Sequence, residues 1–411
     1  MRRDFIIDTL QSRLNNLIKT INVSSPKLPF NVFFYQGIPH EEVGKIAKAI
    51  VPYGKVALLY LKNEHQKLYP QYSCSLQQTE NVITHVVLPQ TFTDSLSKYS
   101  QVFNLAEDVR LIVATDKKLF NLAKYFASVR NIPCVLVVND LECYDAVNYD
   151  IKFLNGKKQD SLVNSCDVHV VVDLDSLRGN KDTISQGYAF TVSHALALTD
   201  YRINCLFENQ AVIKKAYALT AQASTSIFPL YSFAEQERHE KATEYFFILQ
   251  IANLLSKGKI FDCFSSAQAS KFIDGKINGH TLLKCAISTS KIYKIFLSNN
   301  YDKILNYPDY LQRADFVRSK TAISHADATA NLLVQLSKIE KIPYPKAFSQ
   351  ILIKDVLSFV NCSNSILSIW TALGGCSNVN EQDFSLAIKH SGDVALNLMS
   401  LVRHSGISEL I

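Results

Sequence analysis

Asp167-Val168-His169-Val170-Val171-Val172-Asp173-Leu174-Asp175-Ser176-Leu177 is the stretch whose reading decides the fold. Val168 to Val172 is short, rich in β-branched residues and apolar at alternate positions on both sides, which describes a strand covered on both faces. Asp173 and Asp175 follow where the strand ends and a helix is about to start. Paired carboxylates invite an acid–base reading, but at such a junction the expected role is helix capping. A helix then carries Gln186-Gly187-Tyr188-Ala189-Phe190 and is expected to end over Ala197-Leu198-Thr199-Asp200-Tyr201-Arg202.

Upstream of this stretch, strand and helix alternate. An N-terminal amphipathic helix runs to about residue 21, and Pro26 and Pro29 break the chain before Asn31-Val32-Phe33-Phe34-Tyr35. Continuous apolar runs recur at Val56–Leu61, Val82–Leu88, Val109–Val113 and Cys134–Val138, with helical spacing over Glu41–Ile50. Runs apolar on both faces, separated by helices, predict a doubly wound Rossmann-like α/β domain over residues 1–175. Asn155-Gly156 predicts a hairpin just before the closing strand.

Downstream, nearly every segment has helical period: Ser185–Leu198, Gln210–Gln222, Glu237–Leu255, His280–Leu297, Ala326–Ile339, Lys346–Phe359 and Phe384–Val402. Residues 176–411 therefore read as an all-helical domain.

The chain has 411 residues, 47% hydrophobic and 19% charged, enough for two cores rather than one. Forty-three basic against 37 acidic residues give a net charge of +6, and no basic run exceeds a doublet, so nucleic acid is not an expected partner. No apolar run reaches signal-peptide or membrane-spanning length, which makes cytoplasmic residence without a membrane partner the expectation. Nine cysteines without a Cys-x-x-Cys pair argue against a disulfide framework and a structural zinc site.

The order and spacing of elements resemble the dehydroquinate synthase and iron-containing alcohol dehydrogenase superfamily, most of all its glycerol-1-phosphate dehydrogenase branch. Ile46-Ala47-Lys48 with the strand at 56–61 resembles that family's first mononucleotide-binding unit. Asn121-Leu122-Ala123-Lys124-Tyr125 resembles the Asp-Val-Ala-Lys-Tyr of the helix after its nucleotide loop, so Lys124 is the candidate catalytic lysine. Val379–Phe384 with Ala387-Ile388 resembles its last helical segment. The resemblance implies NAD(P), a zinc or iron ion, a polyol or polyol-phosphate substrate such as glycerol 1-phosphate, and homo-oligomers.

Three sites depart from the family pattern. Where the family has a Gly-Gly-Gly turn for a dinucleotide pyrophosphate, this chain has Thr115-Asp116-Lys117, and Ala114, Thr115, Asp116, Lys117 and Lys118 are the candidate cofactor contacts. An Asp116 carboxylate beside phosphates is repulsive; the alternative for Asp116 is an N-cap in a solvated turn. A Pro-Thr-Ala-type segment becomes Asn139-Asp140, with Glu142 close behind. At the metal site Phe190 stands at the family's acid position, Ser265–Phe272 contains no histidine, and Asn278-Gly279-His280 replaces His-Gly-Glu. His280 and His194, one helical turn past Phe190, are the candidate metal ligands; by spacing, His40, His239, His325, His390 and His404 supply no second one.

Three functions are weighed from these residues. The favoured one is a degenerate, non-catalytic member of the fold that binds a partner protein or small anionic ligand in the interdomain cleft. The alternative is an NAD(P)- and metal-dependent oxidoreductase acting on a polyol or polyol phosphate; a carbocycle-forming synthase of the dehydroquinate type comes third.

Overall fold

The computed structural model describes residues 9–24, 28–77, 81–103, 108–156, 158–179, 181–207, 210–262, 264–299, 345–376, 379–380, 382–383 and 387. The helices expected over Ala326–Ile339 and Phe384–Val402, and His325, His390 and His404, lie outside them. By packing, the chain divides into one unit from 1–184 with 235–258 and a second from 185–234 with 259–411.

In the first unit, β1 (Val32–Gln36), β2 (Lys55–Leu61), β3 (Val82–Leu88), β4 (Val109–Ala114), β5 (Cys134–Val138) and β8 (Val168–Val172) form one sheet in the order β1-β8-β5-β4-β2-β3. Every pairing in it is parallel. β6 (Asp150–Asn155) and β7 (Lys158–Val163) form the expected hairpin, with Gly156 in the left-handed region that glycine reaches without strain (φ 65°). β5 and β8 are buried at every position, as continuous apolar runs require.

Helices α2 (Pro39–Ile50) and α3 (Lys62–Gln77) cover one face. Val43, Ile46, Ala47, Tyr72 and Leu76 pack there against Val56, Leu58, Tyr60, Leu111, Val113 and Val171. Helix α1 (Leu10–Ser24) lies along edge strand β1, where the Asn15 amide donates to Phe34 O (2.8 Å) and accepts from Phe34 N (2.9 Å). One side chain thus satisfies backbone groups that an open edge would leave bare.

The sequence places a single division at 175/176, whereas the first unit runs to 184 and takes back 235–258. The returning helix α9 (Glu235–Leu255) packs Phe247 edge-on against Phe34 (5.0 Å) and Phe246 at a tilt against Tyr144 (5.9 Å). Its Gln250 Oε1 accepts from Val147 N (3.1 Å). Apolar periodicity announces such a helix but not the surface that its apolar stripe meets.

The second unit is helical in every described element. Helix α7 (Lys181–Phe207) does not stop at 197–202 but continues to Phe207, since no proline or glycine after Gly187 interrupts it. Asp200, read as part of its end, instead turns its carboxylate to Ser265, accepting from Ser265 N (2.9 Å) and Oγ (2.7 Å). It thereby caps α11 (Ser265–Asp274). Gly275 ends α11 at φ 70°, and Asn278 Oδ1 accepts from His280 N (2.9 Å) to start α12 (Gly279–Asn299). Helix α13 (Pro345–Ala372) packs against α12. Among the described residues no helix is long and apolar enough to cross a membrane.

Candidate functional site

Rossmann-type sheets present their ligand sites at the carboxyl ends of the strands, and the residues after β4 lie there. Ala114 ends β4, fully buried, and Thr115 is buried with its Oγ1 donating to Leu59 O (3.1 Å). Asp116 caps a short 3-10 turn, Lys117–Leu119, by accepting from Lys118 N (2.8 Å). Lys117 donates to Asp140 Oδ2 (2.7 Å) and Glu142 Oε2 (2.5 Å). Burial opposes its charge, but those two carboxylates prevail and raise its pKa. The acids after β5 are thus the lysine's counter-ions.

Glu64, near the start of α3, joins this turn from the end of β2. Burial and the neighbouring Asp116 carboxylate push its pKa up to about 7. The sequence reading passed over Glu64, although an acid just past an apolar strand was a visible sign that it stands at the carboxyl edge. A pyrophosphate here would meet the Asp116 carboxylate and a lysine already paired with acids, with the Glu64 carboxyl beside them. Thr115, Asp116 and Lys117 do not fit a glycine-lined dinucleotide cradle.

Lys124 lies on α5 (Phe120–Arg130), fully buried, with its amine donating to Asp145 O. Burial lowers its pKa. Beside it, Asn121 Nδ2 reaches Asp94 Oδ2 (3.2 Å) and Asp145 Oδ2 (3.3 Å), and Tyr99 donates to Asp94 Oδ1 (2.7 Å). Burial pushes Asp94 up to about 6. Lys124 therefore joins the loop before β6 to α5. Neither Asp94 nor Asp145 was singled out from sequence, because their partners come from separate segments.

In the second unit, Phe190 is buried against His194 (ring centroids 4.5 Å) and Phe261 (6.3 Å), and Phe264 lies 5.1 Å from His194. His194 Nδ1 lies 2.8 Å from Phe190 O, a pure acceptor, so Nδ1 carries the proton. Burial depresses its pKa to about 4. His280 Nδ1 accepts from Trp370 Nε1 (2.9 Å). An indole N–H only donates, so that lone pair is taken and the neutral ring holds its proton on Nε2. A metal needs a free imidazole lone pair, and in this arrangement His280 has none to give. Asn278 spends its oxygen on the α12 cap, and Ser265 and Ser270 bond Asp200 and Asn278.

Among the described residues no three His, Cys, Asp or Glu side chains are placed to hold a metal ion. The residues expected as metal ligands do not fit one: His194 and His280 sit in different surroundings, and Phe190 offers an aromatic ring rather than a donor.

No family model and no curated protein matches the sequence. Solved structures do match. A 1,3-propanediol oxidoreductase is 11% identical, with 92% of this chain and 98% of that one covered and a TM-score of 0.57. For the iron-containing alcohol dehydrogenase of Thermococcus thioreducens the values are 10%, 92%, 99% and 0.53. For the NADH-dependent butanol dehydrogenase A of Thermotoga maritima they are 14%, 93%, 92% and 0.51. At such identities the likeness is one of fold. The chain shares the fold of these alcohol dehydrogenases, as the order of its elements predicts.

Proposed function

We propose that this chain is a non-catalytic member of the alcohol dehydrogenase fold that acts by binding, its ligand being a partner protein or a small anion. The observation that carries this reading is the turn after β4. Lys117, a cation of that turn, is held by Asp140 and Glu142, while Asp116 and Glu64 add acid where a dinucleotide would bring more negative charge. The metal positions support it independently. Phe190 fills the acid's place with a ring, and the lone pair of His280 is occupied by Trp370.

The test is a calorimetric titration of the full chain with NADH and NADPH, each with and without zinc. No heat at millimolar nucleotide is the expected result. Micromolar binding would overturn the reading and favour a diverged polyol dehydrogenase, for which substrate screening would follow.

A further inference from the structure

Cys134 opens β5, and Cys166 stands two residues ahead of β8, the adjacent strand in the sheet. Cys134 N donates to Asp167 O (2.9 Å), so sheet pairing holds the two segments side by side. The two sulfurs are 3.7 Å apart, and both residues are buried. The Cys166 sulfur also faces Asn164 Oδ1 (3.1 Å), which accepts from Ser128 Oγ (3.1 Å). The Lys124 amine lies within electrostatic reach of both thiols. A disulfide requires the sulfurs to close to about 2.05 Å, a step that rotation about the Cα–Cβ bonds supplies when the backbones are already adjacent.

We propose that Cys134 and Cys166 form a reversible disulfide, making this pair a redox modification site with a peroxide as the oxidant. Either thiol can attack first, Cys166 for example, since the hydrogen bond between them can run in either direction. The Cys166 thiolate attacks one peroxide oxygen, the O–O bond breaks, and the departing hydroxide takes up a proton to leave as water. Cys134 then displaces the hydroxyl of the sulfenic acid, forming the S–S bond and releasing a second water. Two thiols and one hydrogen peroxide give one disulfide and two waters; the sulfurs lose two electrons and the peroxide oxygens gain them. A thiol reductant reverses the step by exchange.

The bridge would close the segment 135–165, which carries the acids that hold Lys117 and the carbonyl that holds Lys124. The experiment uses the full chain with the exposed thiols among the described residues removed (Cys74→Ser, Cys376→Ser), treated with hydrogen peroxide and mapped by mass spectrometry without reduction. A Cys134–Cys166 linked peptide is expected, lost on adding dithiothreitol. A rise in melting temperature of about 5 °C should accompany it, because the bridge restricts the unfolded chain. The inference is overturned if both cysteines alkylate as free thiols after the treated protein is unfolded, or if they are recovered as separate sulfinic acids. Cys134→Ser and Cys166→Ser should each abolish the linked peptide; if either fails to fold, the map of the intact pair still decides.

Discussion

A buried histidine and a half-buried glutamate give the molecule opposite responses to pH. His194 ionises near 4 in the folded chain and near 6.5 once unfolded, so between those values the unfolded chain holds more protons. Its contribution is complete above pH 6.5 and is lost as the pH falls through 4, about 3 kcal/mol in all. His194→Leu should remove that slope, read as urea-unfolding free energy from pH 7 to 4.5. Glu64 runs the other way: folded, it keeps its proton to about pH 7, while the unfolded chain releases it near 4.5. Its contribution is complete below 4.5 and is lost as the pH rises through 7. Because the carboxyl is only half-buried, Glu64→Gln should recover no more than about 1 kcal/mol at pH 8. Free-energy curves that stay parallel to those of the unsubstituted protein would refute either assignment. Capping by Asp173, which accepts from Ser176 N (3.1 Å), was legible because both groups lie in one short segment. The partners of Lys117 and His280 were not, being 23, 25 and 90 residues away on other elements.

Helices and strands were read well where their cause is local. Buried strands announce themselves as continuous apolar runs, and Asn155-Gly156 marks its own hairpin. Tertiary demands decided the rest: α7 overruns its expected end, and α9 packs on the α/β unit, because the surface each meets lies far along the chain. Gly279 shows how tight such a meeting is. A Cβ there would sit 2.5 Å from Gln186 O of α7, a backbone atom that cannot swing aside. Gly279→Ala should therefore cost about 2 kcal/mol through forced separation of α12 from α7. At Gly179 the same added methyl would meet nothing within 4 Å. Gly179→Ala should change stability by no more than about 0.5 kcal/mol, or improve it. Equal effects of the two substitutions in urea titrations would remove the packing argument.

For the molecule as a whole, fold does not decide chemistry. The strand order and helical half match dehydrogenases whose shared identity with this chain is 10–14%. That degree of likeness fixes how the backbone runs, while function depends on the side chains at particular positions. If the helical unit held a catalytic ion, folding and metal would be linked. An ion present at about a hundred times its dissociation constant, and bound only by the folded state, adds about 2.7 kcal/mol, a rise of roughly 5 °C for a unit of this size. We expect zinc or iron(II), added to protein stripped with a chelator, to shift the melting temperature by less than about 1 °C, and atomic emission to find far less than one ion per chain. The physical reason lies in the donors: Phe190 offers no lone pair, Trp370 occupies that of His280, and Asn278 is committed to the α12 cap. A stoichiometric ion with a rise of several degrees, both lost in His280→Ala, would show that the indole contact opens to admit a metal and would return this chain to the catalysts of its fold.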